Sequence, residues 1–123
     1  MRIISGELKG KILISPDNNE IRPTSDRGKE VIFDTLSSIL YKQDKEYKEI
    51  NILDIFCGSG SLGIEAISRG GKNIFFIDNS KKAINLTKMN CEKLNIKNVN
   101  LLNYNFFDIN LSLIKQADVI FLD

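Results

Sequence analysis

Three aspartates stand at or near the ends of short apolar runs: Asp54 within residues 50–56, Asp78 after residues 73–77, and Asp123 after residues 119–122. Between the first two lies the turn Gly58-Ser59-Gly60-Ser61-Leu62-Gly63. A carboxylate at a strand end can accept hydrogen bonds from a sugar diol or an amine, and it can hold a positive charge. In a parallel α/β sheet, ligands sit at the carboxyl ends of strands, where this turn falls. Glycine there lets the backbone approach a ligand, and φ > 0 costs it little. The N–H groups that open the next helix then face the pocket. The stretch reads as a site for a nucleotide-type cofactor.

Residues 58–63 also fit the dinucleotide pattern Gly-x-Gly-x-x-Gly. Asp54, four positions before Gly58, is the discriminating residue. It would repel a pyrophosphate, since like charges in a poorly solvated cleft are costly. A cofactor carrying an ammonium and a sulfonium would be attracted instead, which points to S-adenosylmethionine. The bland alternative for Asp54 is a polar residue at a strand end. Asp78 follows 24 residues later, where an acidic side chain can receive both ribose hydroxyls, with charged hydrogen bonds worth roughly 1.5–3 kcal/mol each. Its alternative is a cap for the following helix, and the two roles are compatible. NAD-type sites share this feature, so an NAD-dependent oxidoreductase half-domain stays open as a reading that Asp54 opposes.

The 123 residues contain no histidine. That removes the commonest general base and metal ligand, and with it a Ser-His-Asp hydrolase or a zinc enzyme; no metal site is expected. Cys57 and Cys91 lack metal-ligand spacing. No apolar run approaches a membrane span and no signal-peptide core opens the chain, so the expected location is the cytoplasm. Hydrophobic residues make up 42% and charged residues 27%, an ordinary composition for one globular domain. The net charge of +1 does not by itself advertise nucleic-acid binding. Residues 1–29 hold +2 of it and the remainder −1.

The elements that must position these residues follow from periodicity. Residues 2–5 and 11–14 bracket Gly6 and Gly10 as a β-hairpin. Thr24 or Ser25 caps a helix with Ile32, Phe33, Leu36, Ile39 and Leu40 on one stripe, and Asp26 suits its positive end. Residues 41–49 read as a charged linker. A strand through Asp54 leads into the glycine turn and a helix that stops at Gly70-Gly71. Residues 73–78 form a strand covered on both faces. Ser80 opens a helix carrying Ala83, Ile84, Leu86, Cys91 and Leu94 on one arc, which makes Cys91 a core residue. Strands at 99–102 and 118–123 flank a short helical stretch near 108–115. Residues 1–48 thus form an N-terminal segment and 49–123 a cofactor-binding half-domain.

Three blocks together resemble one family. They are Met1-Arg2-Ile3-Ile4-Ser5-Gly6; Arg22-Pro23-Thr24-Ser25-Asp26-Arg27 with Glu30 and Phe33; and the glycine turn continuing to Gly63-Ile64-Glu65-Ala66 with Ser68-Arg69-Gly70. They resemble the RsmD-like 16S rRNA (guanine-N2)-methyltransferases, which are class I S-adenosylmethionine-dependent enzymes. The glycine turn fits most class I methyltransferases, and the Arg-Pro-Thr block is the more specific part.

The resemblance implies a Rossmann-like α/β sheet in the order 3-2-1-4, with the N-terminal hairpin and helix added. It implies that Asp54, Gly58, Ser59 and Gly60 hold the methionine end of the cofactor and Asp78 its ribose. Asn105 falls where the family usually has an Asp near the adenine amino group. Arg22, Thr24 and Arg27 would border the active site, and the basic hairpin with Arg2, Lys9 and Lys11 would face 16S rRNA or the assembling small subunit. Asp123 matches the first position of an Asp/Asn-Pro-Pro-aromatic segment that holds the target amine of a base turned out toward the cofactor. The Pro-Pro-aromatic part is not in this chain, so a truncated domain is expected, with the fourth strand as an exposed edge open to self-association. The alternative function is a non-catalytic remnant that binds cofactor or RNA. Cys57 as a nucleophile on a pyrimidine carbon is opposed by its place before the glycine turn.

Overall fold

The computed structural model describes residues 1–16 and 24–123. The elements in chain order are α1 (Asp26–Lys42), β1 (Asn51–Ile55), α2 (Ser61–Ser68), β2 (Asn73–Ile77), α3 (Lys81–Lys93), β3 (Asn100–Leu102), α4 (Leu111–Gln116) and β4 (Val119–Leu122). The four strands are parallel in the order β3-β2-β1-β4, the order expected. β1 is central, and Asp54 lies in register between Phe76 and Phe121. Among the described residues no helix is long and apolar enough to cross a membrane.

Strand alternation decides which way each β1 side chain faces. Ile52 joins a large cluster with Ile64 of α2, Phe33 of α1, and Ile3 and Leu13 of the N-terminal arm. Leu53 and Ile55 join a smaller cluster with Ile77 and Ile109, against which α4 packs Leu113 and Ile114. Asp54 shares the side of Ile52, beneath α2. There α2 comes very close to the sheet: a Cβ on Gly63 would lie 2.2 Å from a ring carbon of Phe76. Glycine at 63 serves packing, and the approach it permits brings the Gly63 N–H onto Asp54.

Local signals set the helix starts. Ser25 caps α1, its hydroxyl accepting the Gly28 N–H at 3.0 Å. Ser80 caps α3 by accepting from Ala83 at 3.2 Å. Four local expectations shift. The hairpin is a single antiparallel bridge, Arg2 to Ile12, with bonds from Ile3 to Lys11 and from Leu13 to Met1. Ile39 is 47% exposed, because Lys29, Phe33, Leu36 and Leu40 fill the buried face of α1, with Ile32 at its margin. The stretch 41–49 is not all linker: α1 runs to Lys42, and Tyr47–Glu49 form a 3-10 turn whose Tyr47 hydroxyl meets Ser37 at 2.7 Å. Residues 106–116 hold a 3-10 turn and then α4, because Asn105 and Asn110 each cap a separate start.

Candidate cofactor site

The glycine turn is best described by where its N–H groups go. Cys57 donates to the Ile77 carbonyl, Gly58 to Asp78 Oδ2 at 3.1 Å, Gly60 to the Cys57 carbonyl, Gly63 to Asp54 Oδ2 at 3.0 Å, and Ile64 to the Gly60 carbonyl. The N–H groups of Ser59, Ser61 and Leu62 have no acceptor among the described residues. Gly60, the cap residue of α2, has no side chain to supply one. The Ser61 hydroxyl is buried and without a partner among the described residues. Gly58 and Gly60 take φ of +56° and +82°, so the turn needs glycine at both. Free N–H groups at a helix start attract an anion such as a carboxylate.

The other side of the site is acidic. Asp54 is 1% exposed. Burial pushes its carboxyl up to about 8; the Gly63 N–H pulls it back, and the charges of Asp123 and Asp78 push it further up. Asp78 is half-buried, with Oδ2 on Gly58 and Oδ1 accepting the Ser80 N–H at 2.9 Å. It therefore ties the turn to the start of α3, and a carboxylate has lone pairs left for a diol. Asp123 accepts a hydrogen bond from the Thr24 hydroxyl, which joins the Arg-Pro-Thr block to the end of β4. A cluster of carboxyl groups that no cation faces among the described residues favours a positively charged ligand over a diphosphate.

Asn105 stands apart at the end of β3, exposed, its Oδ1 accepting the Phe107 N–H at 3.1 Å. The next residue, Phe106, stacks on Phe56 with centroids 5.9 Å apart. Phe56 holds φ +62°, a left-handed conformation rare for a bulky side chain. Both rings are partly exposed. Cys57 is buried, its thiol pushed up to about 12 by burial and then by Asp54. It stays protonated, and a nucleophilic role is removed.

Among the basic residues, Arg2 is exposed and pairs with Asp26 at 3.0 Å, and Arg27 is exposed at the start of α1. Lys9 and Lys11 are exposed near the tip of the arm, beside the carboxyl-terminal ends of α2 and α3, where Leu8 meets Ser68 and Lys93 donates to the Ile12 carbonyl at 2.9 Å. That is the far end of these helices from the glycine turn. Arg22 lies outside the described residues. Lys29 contributes to the N-terminal positive charge in the sequence but not at the surface; it is 1% exposed.

Sequence reasoning missed the residues that hold the turn from below. Thr87 donates to the Gly58 carbonyl at 2.9 Å and Asn90 to the Ser59 carbonyl at 2.9 Å. It also missed Glu65, fully buried on α2, which accepts from the N–H groups of Ile4 and Ser5, from Arg69 at 3.0 Å, and faces Lys29 at 3.5 Å. Signals existed. Thr87 and Asn90 occupy the apolar arc of α3, and Glu65 sits between Ile64 and Ala66; a polar side chain at a core position demands a buried partner.

With this geometry in place, comparison with known proteins decides the family. The family described as "Conserved hypothetical protein 95" matches residues 1–123. This chain belongs to that family. Among curated relatives, YlbH of Bacillus subtilis is 41% identical over 90 residues, 73% of this chain and 45% of its own length. Ribosomal RNA small subunit methyltransferase D of Haemophilus influenzae is 38% identical over 90 residues, 73% of this chain and 43% of its own. The chain thus spans about half the length of the curated relatives it matches. Among solved structures, Escherichia coli YhhF aligns at TM-score 0.70 with 30% identity, covering 85% of this chain and 52% of that one. This family membership makes the chain RsmD-like, and the Rossmann-like sheet is the one its methyltransferase relatives share.

Proposed function

We propose that this chain carries the cofactor-binding half of an S-adenosylmethionine-dependent methyltransferase that modifies the exocyclic N2 of a guanine in 16S rRNA. The observation that carries the cofactor reading is that free donors and carboxyl groups face each other at the carboxyl end of the sheet. Free N–H groups of Ser59, Ser61 and Leu62 lie at the start of α2, and the carboxyl groups of Asp54, Asp78 and Asp123 gather beside them, Asp54 keeping its proton until a cation lowers its pKa. An amino-acid zwitterion with an extra positive charge complements both, and a dinucleotide complements only the first. The methylated-base reading rests on the family and on the names of its relatives.

In this reading S-adenosylmethionine, when bound, supplies a methyl group on a positively charged sulfur. The free donors of the turn hold the carboxylate, Asp54 the positive charge, and Asp78 the ribose hydroxyls. Asn105 offers the adenine amino group the second lone pair of its amide oxygen, the first being taken by the Phe107 N–H. Asp123 accepts an N–H of the target amine, steadied by Thr24, and so aims the nitrogen lone pair. Positioning is the main catalytic contribution, and water takes the proton. Arg2, Lys9, Lys11, Arg22 and Arg27 form the proposed RNA-facing set, residues 1–48 being the nucleic-acid segment and 49–123 the cofactor segment.

The test is a calorimetric titration of the 123-residue chain with S-adenosylmethionine, with Asp78→Ala as control and NADH as competitor. Saturable binding that the variant loses and NADH does not displace supports the reading. NADH binding at the same site would replace it with the oxidoreductase half-domain, and a folded chain that binds neither ligand would remove the cofactor assignment. Binding without methyl transfer to 16S rRNA would make the chain a binding module.

A further inference from the structure

Asn90 is fully buried on α3 and spends its amide on two distant parts of the chain. Its Nδ2 donates to the Ser59 carbonyl at 2.9 Å and to the Ile14 carbonyl at 3.2 Å, and its Oδ1 accepts the Ile14 N–H at 2.6 Å. Ile14 is thus gripped at both backbone groups, as a neighbouring strand would grip it. The other end of the arm meets the same residue of the turn: Met1 Sδ lies 3.6 Å from Ser59 Oγ. Both ends of the N-terminal arm therefore converge on Ser59, whose N–H is one of the free donors of the cofactor site.

The rest of the arm is clasped elsewhere. Glu65 holds Ile4 and Ser5, and Ser68 holds Glu7 and Leu8. At Gly6 the arm lies against α2 so closely that a Cβ would sit 2.0 Å from the Ser68 carbonyl oxygen. These contacts fix the arm to α2, and among the described residues it is the two ends of the arm that reach the turn. We propose that Asn90 is the positioning residue that links the docked arm to the cofactor turn, so that arm docking and cofactor binding strengthen each other. The proposal rests on the cofactor reading above and deepens it. The two states are the arm docked on Asn90 with the Ser59 carbonyl held, and the arm ends released with that carbonyl free. A cofactor that needs the Ser59 N–H in place favours the first, and by linkage anything that stabilises the docked arm tightens the cofactor by the same factor. Thr87 holds the neighbouring Gly58 carbonyl without touching the arm, and so provides an internal contrast.

Amide hydrogen exchange on the full chain tests this, with saturating S-adenosylhomocysteine as the probe. The expected result is slowing of the Ile3, Leu13 and Ile14 amides by about fivefold or more, the lower end of ordinary coupling. That slowing should exceed the change at Gln43, which closes α1 on Ile39 and reports any global stabilisation. In Thr87→Val the cofactor should bind more weakly and still slow the arm. In Asn90→Ala, where circular dichroism shows it folded, the arm should no longer respond. Saturable binding that leaves the arm amides no slower than Gln43 overturns the proposal while sparing the cofactor reading, and this arm of the test needs no variant. An Asn90→Ala chain whose arm still responds overturns it too. No binding at all removes both readings together.

Discussion

Two buried carboxylates on the same side of the sheet, Asp54 and Glu65, have opposite surroundings. Glu65 is closed in by its own chain: two backbone N–H groups, the Arg69 guanidinium and the Lys29 ammonium all point at it. Arg69 in turn lies 4.6 Å over the Phe33 ring, and Lys29 also donates to the Arg2 carbonyl. Burial pulls the Lys29 pKa down, and the Glu65 charge beside it acts the other way. Among the described residues Asp54 has one backbone N–H and the carboxyl groups of Asp78 and Asp123 for neighbours. A carboxylate that the fold neutralises internally is part of the scaffold. One that no cation faces among the described residues keeps its proton near neutral pH, burial being the first cause of its raised pKa, and a carboxyl perturbed in this way is a candidate site residue.

The comparison can be broken most directly at Glu65. Glu65→Gln strands a buried lysine, and breaking a buried ion pair in this way costs about 3–5 kcal/mol, read as a fall in the urea midpoint. Lys29→Met combined with Glu65→Gln should recover part of the loss, since the stranded lysine is then gone and the amide oxygen still accepts from the arm. A Glu65→Gln chain as stable as the parent would end the scaffold reading.

Asp54→Asn should do the reverse. Stability holds near neutral pH, where the folded Asp54 keeps its proton, and rises above pH 8, where the substitution removes a buried charge beside two others, whereas cofactor affinity falls by roughly ten- to a hundredfold, the worth of one charged hydrogen bond. Equal loss of stability in Asp54→Asn and Glu65→Gln would erase the difference between the sites.

The pH dependence sharpens the same contrast. Unfolded Asp54 loses its proton near 4 and the folded one near 8, so between these values the unfolded chain binds fewer protons. Stability from this group therefore falls as pH rises across that window, by at most about 1.4 kcal/mol per pH unit. Asp54→Asn should flatten the slope. A cation seated beside Asp54 lowers its pKa, so S-adenosylmethionine binding at pH 6 should release a proton, measurable as a dependence of the binding heat on buffer. The smallest effect is expected at Arg2. Its pair with Asp26 is exposed on both sides, and Arg2→Ala should change stability by no more than about 1 kcal/mol while weakening retention of the chain on 16S rRNA at low salt.

Much of the fold was legible because its signals are local. Ser25 and Ser80 sit at helix starts, Gly70-Gly71 follows the end of α2, and the apolar runs through Ile52 and Ile74 read as strands; each is decided within a few residues. The glycine turn and its flanking Asp54 and Asp78 were legible for the same reason. Ile39 was misplaced because a helical stripe shows only which residues share a face. How much of that face the sheet covers depends on the width of the contact. Thr87 and Asn90 escaped because their partners, Gly58, Ser59 and Ile14, lie 29, 31 and 76 residues away.

By itself the sequence determined the alternation of strands and helices, the parallel sheet they imply, and the glycine turn between two carboxylates. Periodicity and backbone preference act over a handful of residues, and those features need nothing more. Tertiary structure alone decided which charges are spent and which are free. Glu65 and Asp54 are both acids beside apolar residues in the sequence, and Lys29 and Arg27 are both bases at the start of one helix. Only packing α1, the arm and α2 together encloses Lys29 with Glu65 and leaves Arg27 in water. The energy of a buried charge depends on what surrounds it in three dimensions, and that is why the sequence could offer candidate residues and could not tell scaffold from candidate site.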